Sequence, residues 1–343
     1  MPVDLHQCFR VDPGDLPGEA VIFGRTAAMR EVHGKIERVL ESDLPVLLQG
    51  ERGTGKDLVA RFLHIRSSRS QGPFVKLSCA ALPQRLLEAE LLGSEAGAVS
   101  GVGEAKRGLM EMAEGGTLFL DEISEIGLSL QRKLLFLLRD GRYFRVGGRE
   151  ERQARVRIVC STNVHLALAV SKGCFRPDLF DHMDGMCFRL SALRERKEDI
   201  PQLWSFFADK LARKFGKRAP HLTPAVLRVL EEWDWPGNLC ELENCIARFI
   251  VLEDEEAIVD ELRRKAAITN IADGRAESEP QAESAALGAI AKTGILEVLK
   301  AKRESKRKTT EELKRSYRSP LYRLRGIGGL QRRRSRRRFP RPE

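Results

Sequence analysis

The sequence predicts an α/β fold, a parallel sheet wrapped by helices, followed by a helical domain and a small all-α module. Apolar runs alternate with helical patterns in the first half of the chain. The runs are 46–49, 74–77, 117–120 and 156–160, and the helical patterns are 27–41, 57–65, 83–92 and 129–139. Such alternation is typical of a parallel sheet. From residue 194 to about 264 the pattern is wholly helical, and Thr223 followed by Pro224 suits a helix start.

A glycine-rich loop after the first apolar run has the composition of a phosphate cradle. Gly50, Gly53 and Gly55 allow tight turns, so that successive N–H groups can face an anion. Lys56 can reach the β- and γ-phosphates, and the helix starting near Asp57 adds its positive end. The motif is G-x-x-x-x-G-K, with Asp57 where Ser or Thr is usual. The candidate phosphate-binding residues are Gly50, Glu51, Arg52, Gly53, Thr54, Gly55, Lys56 and Asp57.

A second apolar run ends in two carboxylates. Residues 115–122 read Gly-Gly-Thr-Leu-Phe-Leu-Asp-Glu, as expected of a strand buried on both faces. At the carboxyl end of that strand Asp121 can hold Mg²⁺, and Glu122 can polarise an attacking water. An ordinary acidic turn is the alternative. Together with the glycine-rich loop, this strand predicts that the chain binds ATP and Mg²⁺.

Composition excludes several classes of protein. No run of about eighteen apolar residues occurs, so we expect no membrane span. The first fifteen residues lack an apolar signal core, so we do not expect secretion. Seven scattered cysteines without a C-x-x-C pair indicate neither a zinc site nor a disulfide framework. We therefore expect a cytoplasmic protein.

The basic character of the chain lies at its C-terminus. The chain has 59 Lys and Arg, 49 Asp and Glu and a net charge of +10. Residues 301–343 contain 17 of the basic and 4 of the acidic residues, so the preceding 300 carry a small negative charge. Such a terminus predicts contact with nucleic acid, and a solvated, disordered charge run is the alternative.

Four further motifs complete a resemblance to a known family. They are Gly-Pro-Phe-Val at 72–75, Cys-Ala-Ala-Leu-Pro at 79–83, Leu-Arg-Glu-Arg-Lys-Glu-Asp-Ile at 193–200 and Trp-Pro-Gly-Asn-Leu at 235–239. With the two nucleotide motifs, they resemble the AAA+ domain of the bacterial enhancer-binding proteins, the sigma-54-dependent transcription activators. The resemblance covers about residues 21–265.

The resemblance implies a ring-forming ATPase that acts on RNA polymerase. Members of the family assemble into rings, usually hexamers, hydrolyse ATP between subunits and remodel the sigma-54 RNA polymerase at the promoter. It implies that Thr162 and Asn163 form a sensor at a strand end and that Arg176 is a finger offered to the ATP of a neighbour. The polymerase-contact loop would be Gly97, Ala98, Val99, Ser100, Gly101 and Val102.

The predicted organisation has six parts. They are a leader at 1–20, the AAA+ α/β domain at 21–190, a helical lid at 191–265, a linker at 266–293, a degraded Fis-type helix-turn-helix at 294–327 and a basic disordered tail at 328–343. The second helix of the helix-turn-helix would enter the major groove of DNA. The candidate DNA contacts are Tyr317, Arg318, Tyr322 and Arg323. Pro320 either kinks this helix, if Ser316 caps it, or begins a short one, if Ser319 does.

Four further positions depart from the family pattern. Val99 replaces the aromatic residue of the polymerase-contact loop, which makes direct engagement of sigma-54 doubtful. His182 stands where a second finger arginine is expected, and Cys240 where a lid arginine senses the γ-phosphate. Ser78 replaces the asparagine that restrains the catalytic glutamate.

These departures leave alternatives open. The leading hypothesis is an ATP-binding regulator that couples ATP to transcription initiation, as the resemblance implies. The alternative is an ATP-sensing, DNA-binding regulator with weak or no hydrolysis and no remodelling of sigma-54 polymerase. A replication or recombination ATPase is a third class, but it does not explain the loop at 97–101.

Overall fold

Five strands form a parallel sheet whose edge carries one antiparallel strand. The structure is a computed structural model that describes residues 6–9, 11–12, 16–98 and 104–272. The strands are β1 (His6–Phe9), β2 (Val46–Gln49), β3 (Phe74–Ser78), β4 (Thr117–Asp121), β5 (Arg142–Phe144), β6 (Glu151–Gln153), β7 (Arg157–Thr162) and β8 (Cys187–Arg189). Their order in the sheet is β1-β3-β4-β7-β2-β8, with only β1 antiparallel to its neighbour, and β5 and β6 pair in a separate antiparallel hairpin.

The central strands are buried on both faces. Successive residues of β4 alternate between two apolar clusters: Leu118 and Leu120 pack on one face of the sheet and Phe119 on the other. Side chains of a strand point alternately to its two faces, so a strand between two helical layers must be apolar throughout. This is why the central strands appear in the sequence as continuous apolar runs.

Helices cover the sheet and then form a domain of their own. They are α1 (Glu19–Phe23), α2 (Ala27–Arg38), α3 (Lys56–Ile65), α4 (Gln84–Leu92), α5 (Leu109–Met112), α6 (Leu128–Asp140), α7 (Leu166–Ser171), α8 (Pro177–Asp184), α9 (Ile200–Phe215), α10 (Pro224–Glu232), α11 (Asn238–Leu252) and α12 (Glu255–Ala272). The predicted fold class, an α/β sheet wrapped by helices and followed by a helical region, is confirmed. Among the described residues, no helix is long and apolar enough to cross a membrane.

Residues 193–272, which include helices α9 to α12 and which we call the lid, have a separate apolar core. Trp204 and Trp235 are fully buried in it, and Trp235 donates a hydrogen bond from Nε1 to the carbonyl of Leu230 at 2.7 Å. Thr223 caps α10 by accepting a hydrogen bond from Val226 N, with Pro224 in the first turn, as its position in the sequence predicts. The lid therefore has an apolar core distinct from the two clusters on the faces of the sheet.

The structure differs from the predicted organisation in the leader and at the end of the lid. The predicted leader supplies β1, in which His6 lies opposite Leu77 and Phe9 opposite Phe74. A four-residue edge strand is too short to show a period of two, so the sequence did not reveal it. The predicted lid boundary at 265 falls inside α12, which continues to Ala272. The predicted linker beyond that helix, the helix-turn-helix and the tail lie outside the described residues.

Candidate functional site

The carboxyl ends of the parallel strands and the N-terminus of α3 line a cavity of about 580 Å³. Its volume is in the range of sites that hold small molecules and cofactors. The α/β domain contributes Arg52, Gly53, Gly55, Lys56, Asp121 and Glu122 to its wall. The lid contributes Phe206, Phe207, Lys210, Leu239, Cys240 and Glu243. The sheet edge thus supplies most of the charged groups, and α9 and α11 form the opposite wall, with one lysine–glutamate pair.

The phosphate loop, residues 50–56, takes a shape that requires its glycines. Gly53 and Gly55 have φ values of 81° and 102°, in the left-handed region that favours glycine. A Cβ atom at Gly53 would collide with the carbonyl oxygen of Gly237. The loop and the lid therefore contact each other here through backbone atoms, with no room for a side chain. Gly55 also directly precedes α3. The first backbone N–H groups of a helix have no partner within that helix, so those of α3 can bind an anion in the cavity.

Lys56 is held at the base of this loop. Its Nζ donates hydrogen bonds to the carbonyls of Gly50 at 2.7 Å and Glu51 at 3.0 Å, and it lies 3.8 Å from Glu122 Oε1. The residue is 7% exposed. Burial lowers the pKa of Lys56, while the charges of Glu122 and Asp121 oppose that shift. A positive charge is thus confined where the loop can present it to an anion.

The two carboxylates after β4 are oriented by the neighbouring strand. Ser161, in β7, donates a hydrogen bond from Oγ to Asp121 Oδ1 at 2.6 Å and accepts one from Glu122 N at 3.2 Å. Glu122 has φ 60°, which is unusual for a residue with a side chain and often marks a functional position. Its Oε2 accepts a hydrogen bond from the backbone N–H of Asn163 at 3.0 Å. Both predicted acids therefore line the cavity with Asn163 beside them.

Lys76 connects Asp121 with Asp57. Its Nζ lies 2.8 Å from Asp57 Oδ1 and 3.3 Å from Asp121 Oδ2. Burial lowers the pKa of Lys76, but the two carboxylates outweigh it and hold the pKa above its usual value. Asp57 also pairs with Arg61, one turn further along α3, at 2.8 Å.

The lid contacts the phosphate loop through hydrogen bonds and an ion pair. Asn238, at the start of α11, donates hydrogen bonds from Nδ2 to the carbonyl of Arg52 at 3.0 Å and to Glu51 Oε2 at 3.3 Å. Arg194 binds the same Glu51 carboxylate through two nitrogens, at 2.5 and 2.9 Å. This ion pair lowers the pKa of Glu51 to about 2. Arg196, which is buried, donates to the carbonyl of Thr54 at 2.9 Å.

Some predicted residues lie elsewhere. Arg176 does not line the cavity, and its guanidinium pairs with Asp178 at the start of α8. His182, in the last turn of the same helix, is exposed.

Thr162 is fully buried, and its Oγ1 accepts a hydrogen bond from Val164 N at 3.2 Å. Gly97 and Ala98 are described, but residues 99–102 and the candidate DNA contacts lie outside the described residues.

The structure adds three residues that the sequence analysis did not assign to the site. Lys76, Ser161 and Asn238 each contact a predicted site residue through the hydrogen bonds and ion pairs given above. A lysine inside the apolar run at 74–77 was a detectable signal for Lys76, because a charge in a buried strand needs a partner. The other two partnerships depend on which strands and helices become neighbours.

Comparisons with known proteins agree with this architecture. The family profile described as the Sigma-54 interaction domain matches residues 22–189, and the AAA+ ATPase lid domain profile matches residues 194–279. A Nif-specific regulatory protein of Rhizobium leguminosarum bv. trifolii is 45% identical over 243 residues, which cover 71% of this chain and 68% of that protein. The chain belongs to the sigma-54 interaction domain family.

Two other relatives are longer than the region that matches this chain. The Nif-specific regulatory protein of Azotobacter vinelandii is 45% identical over 240 residues, 70% of this chain and 46% of the relative. NtrC of Escherichia coli, a DNA-binding transcriptional regulator, is 40% identical over 260 residues, 76% of this chain and 55% of the relative. The chain thus spans about half the length of these two relatives.

Solved structures show the same fold. The crystal structure of NtrX from Brucella abortus in complex with ATP superposes with a TM-score of 0.63 at 36% identity, and covers 68% of this chain and 51% of that one. An ADP complex of the same protein gives the same values. The predicted AAA+ fold and the resemblance to sigma-54-dependent activators are therefore confirmed.

Proposed function

We propose that the chain binds ATP with Mg²⁺ and uses its hydrolysis to regulate transcription initiation by sigma-54 RNA polymerase. The observation that carries the proposal is the convergence of Lys56, Asp121 and Glu122 on one cavity beneath the lid. A cation cradled by a glycine loop and two acids at a strand end are the parts that phosphoryl transfer requires. Family membership and the ATP complex of NtrX support the same assignment.

The cavity fits a nucleotide at both ends. The loop at 50–56 and Lys56 suit the phosphates, because backbone N–H groups and a buried ammonium favour anions. Apolar groups of Phe206, Phe207 and Leu239 on the lid suit a flat base. Asp121, an oxygen donor beside the loop, is the residue that would hold Mg²⁺. When bound, Mg²⁺ would neutralise charge on the phosphate oxygens.

Glu122 is the group that would act on water. Its carboxylate is 19% exposed and points into the cavity, 3.8 Å from Lys56. It can accept a proton from an attacking water and is oriented for this by Asn163 N–H. Arg176 pairs with Asp178 on the surface of its own subunit, so a finger role requires a neighbour in a ring. We therefore propose that the active form is an oligomeric ring, a hexamer as in the family.

The partners follow from the family in the same way. We propose sigma-54 polymerase as the target, contacted through the loop at 97–102, although Val99 gives this loop a smaller apolar surface than an aromatic residue. The basic region at 301–343 supports DNA as a second partner. The name of NtrC, a DNA-binding regulator, agrees with this proposal.

The test is to measure ATP affinity and turnover on the same purified protein. We expect Lys56→Ala to weaken ATP binding by roughly tenfold or more, because a buried charged hydrogen-bond donor is lost. Glu122→Gln should keep the affinity and lower turnover by about 10²–10⁴-fold. Glu231→Gln, on the exposed surface of α10, is the matched control and should change neither value. A wild-type protein that does not bind ATP contradicts the proposal.

A second candidate is a nucleotide sensor that binds ATP but hardly hydrolyses it. Cys240 favours this candidate, because it lines the cavity from α11 and burial raises the pKa of its thiol, which therefore stays neutral. The lid wall thus offers no arginine to the γ-phosphate at this position. ATP binding without turnover, followed by a gain in turnover in Cys240→Arg, would select this candidate over the first.

A further inference from the structure

The carboxylates near the phosphate loop already share a cation that belongs to the protein. Lys76 leaves the middle of β3, passes over the ring of Phe119 with Nζ 5.3 Å from its centroid, and ends between Asp57 and Asp121. The ammonium is 2.8 Å from one carboxylate and 3.3 Å from the other. Its side chain is 23% exposed, so little water screens these contacts.

The other two carboxylate oxygens are also occupied. Asp57 Oδ2 pairs with Arg61 Nε at 2.8 Å, and Asp121 Oδ1 accepts the hydrogen bond of Ser161. Two negative charges therefore face two positive ones, and the group is neutral. A neutral group attracts a divalent cation weakly, and the carboxylate oxygens that would hold Mg²⁺ or Mn²⁺ here are already engaged.

We propose that Lys76 competes with divalent metal for Asp57 and Asp121, so that these carboxylates accept a metal ion only together with a nucleotide. Bound phosphates would supply the negative charge that compensates both the metal ion and the displaced ammonium. Lys76 would thereby keep the site closed to free Mg²⁺. The inference rests on the proposed function, because it concerns the nucleotide cavity, but it is tested without nucleotide.

The experiment is a titration of the nucleotide-free protein with Mn²⁺, followed by electron paramagnetic resonance of the unbound ion. We expect Lys76→Met to bind one Mn²⁺ at least about tenfold more tightly than the wild type, because a neighbouring positive charge is removed. Lys76→Arg keeps the charge and should bind as weakly as the wild type. Lys133→Met, which removes a lysine paired with Glu88 away from the cavity, is the matched control.

Adding Asp121→Asn to Lys76→Met identifies the ligand, and it should abolish the gain in Mn²⁺ affinity. Equal Mn²⁺ affinity in the wild type and Lys76→Met overturns the inference. Because the methionine leaves two carboxylates facing one another, circular dichroism first tests its folding. If it does not fold, Lys76→Gln carries the same test, since its amide is neutral and still donates hydrogen bonds.

The Mn²⁺ titration and the ATP-binding test can fail independently of each other. A wild type that binds ATP, with Mn²⁺ affinity unchanged by Lys76→Met, leaves the function standing and removes the inference. A wild type that does not bind ATP, with tighter Mn²⁺ binding in Lys76→Met, does the reverse.

Discussion

The two walls of the cavity are built differently. On the α/β wall the charged groups are held in place by neutral polar partners: Lys56 donates to loop carbonyls, and Asp121 accepts from Ser161. The lid wall faces the cavity with apolar groups, the thiol of Cys240 and one lysine–glutamate pair. Other polar groups of the lid contact the phosphate loop itself, as Asn238 does with the carbonyl of Arg52. The α/β wall therefore contains most of the charged groups of the proposed ATP site, and the lid holds the phosphate loop in place.

This difference separates two kinds of variant. A change on the α/β wall that preserves the backbone should alter chemistry and leave stability nearly intact. A change where the loop meets the lid should lower stability and nucleotide affinity together, because both depend on one backbone conformation. The variants below test this division, in order of decreasing expected effect.

Gly53→Ala should have the largest effect on stability. The new Cβ atom meets the carbonyl of Gly237, and φ at this position is 81°, so the variant combines a collision with backbone strain. We expect a loss of about 3–4 kcal/mol in the free energy of unfolding. Urea denaturation measures it, and ATP affinity should fall in parallel.

Gly34→Ala is the matched control for this prediction. Gly34 lies inside α2, and a Cβ atom there meets nothing within 4 Å. Alanine favours helix over glycine by up to about 1 kcal/mol, so this variant should be slightly stabilised. If Gly53→Ala were as stable as Gly34→Ala, the loop could not depend on its contact with the lid.

Asn238→Ala should have an intermediate effect. The side chain also accepts a hydrogen bond from Leu193 N at 2.7 Å, so alanine leaves buried polar groups of two segments without their partner. We expect a loss of about 2–3 kcal/mol. Asn238→Gly separates two causes, because φ is 50° and glycine removes the strain but not the lost hydrogen bonds. The glycine variant should be about 1 kcal/mol more stable than the alanine variant.

The parts of the site that could be predicted from the sequence are those in which one segment contains the whole signal. The phosphate loop lies between β2 and α3 without interruption, and Asp121 and Glu122 follow directly after a buried strand. The carboxyl ends of parallel strands meet at one edge of the sheet, so their convergence also followed from the fold class.

Contacts between distant segments could not be predicted in this way. Ser161 reaches Asp121 because β7 lies beside β4, although β5 and β6 intervene in the chain. Lys76 reaches the same carboxylate because Ser78 pairs with Asp121 in a parallel register, which places Lys76 beside Phe119. Strand order and register are set by the packing of the whole sheet. Asn238 lies 186 residues from its partner Arg52, beyond any local pattern.

The smallest expected effect concerns the ion pair between Glu51 and Arg194, where the lid meets the loop through charge. The pKa of Glu51 is lowered to about 2, mainly by the hydrogen bonds from Arg194, whereas its ordinary value is 4.5. A lowered folded-state pKa contributes stability that is present above pH 4.5 and is lost as the pH falls from 4.5 towards 2. The side chains are 42% and 39% exposed, so water screens the pair, and we expect less than about 1 kcal/mol.

Arg194→Met tests this pair, with urea denaturation of the variant and the wild type at pH 7, 5 and 3. The wild type should be slightly more stable at pH 7 and 5. The difference should shrink at pH 3, because Glu51 is then largely protonated in the unfolded chain, where its pKa is 4.5, but not yet in the folded wild type. Taking the difference between the two proteins cancels carboxylates that titrate equally in both. A difference that grows towards pH 3 would mean that Arg194 stabilises the lid by a means other than the charge of Glu51. The neutral hydrogen bond that Asn238 donates to the carbonyl of Arg52, which persists at all three pH values, would then account for the polar contact between lid and loop.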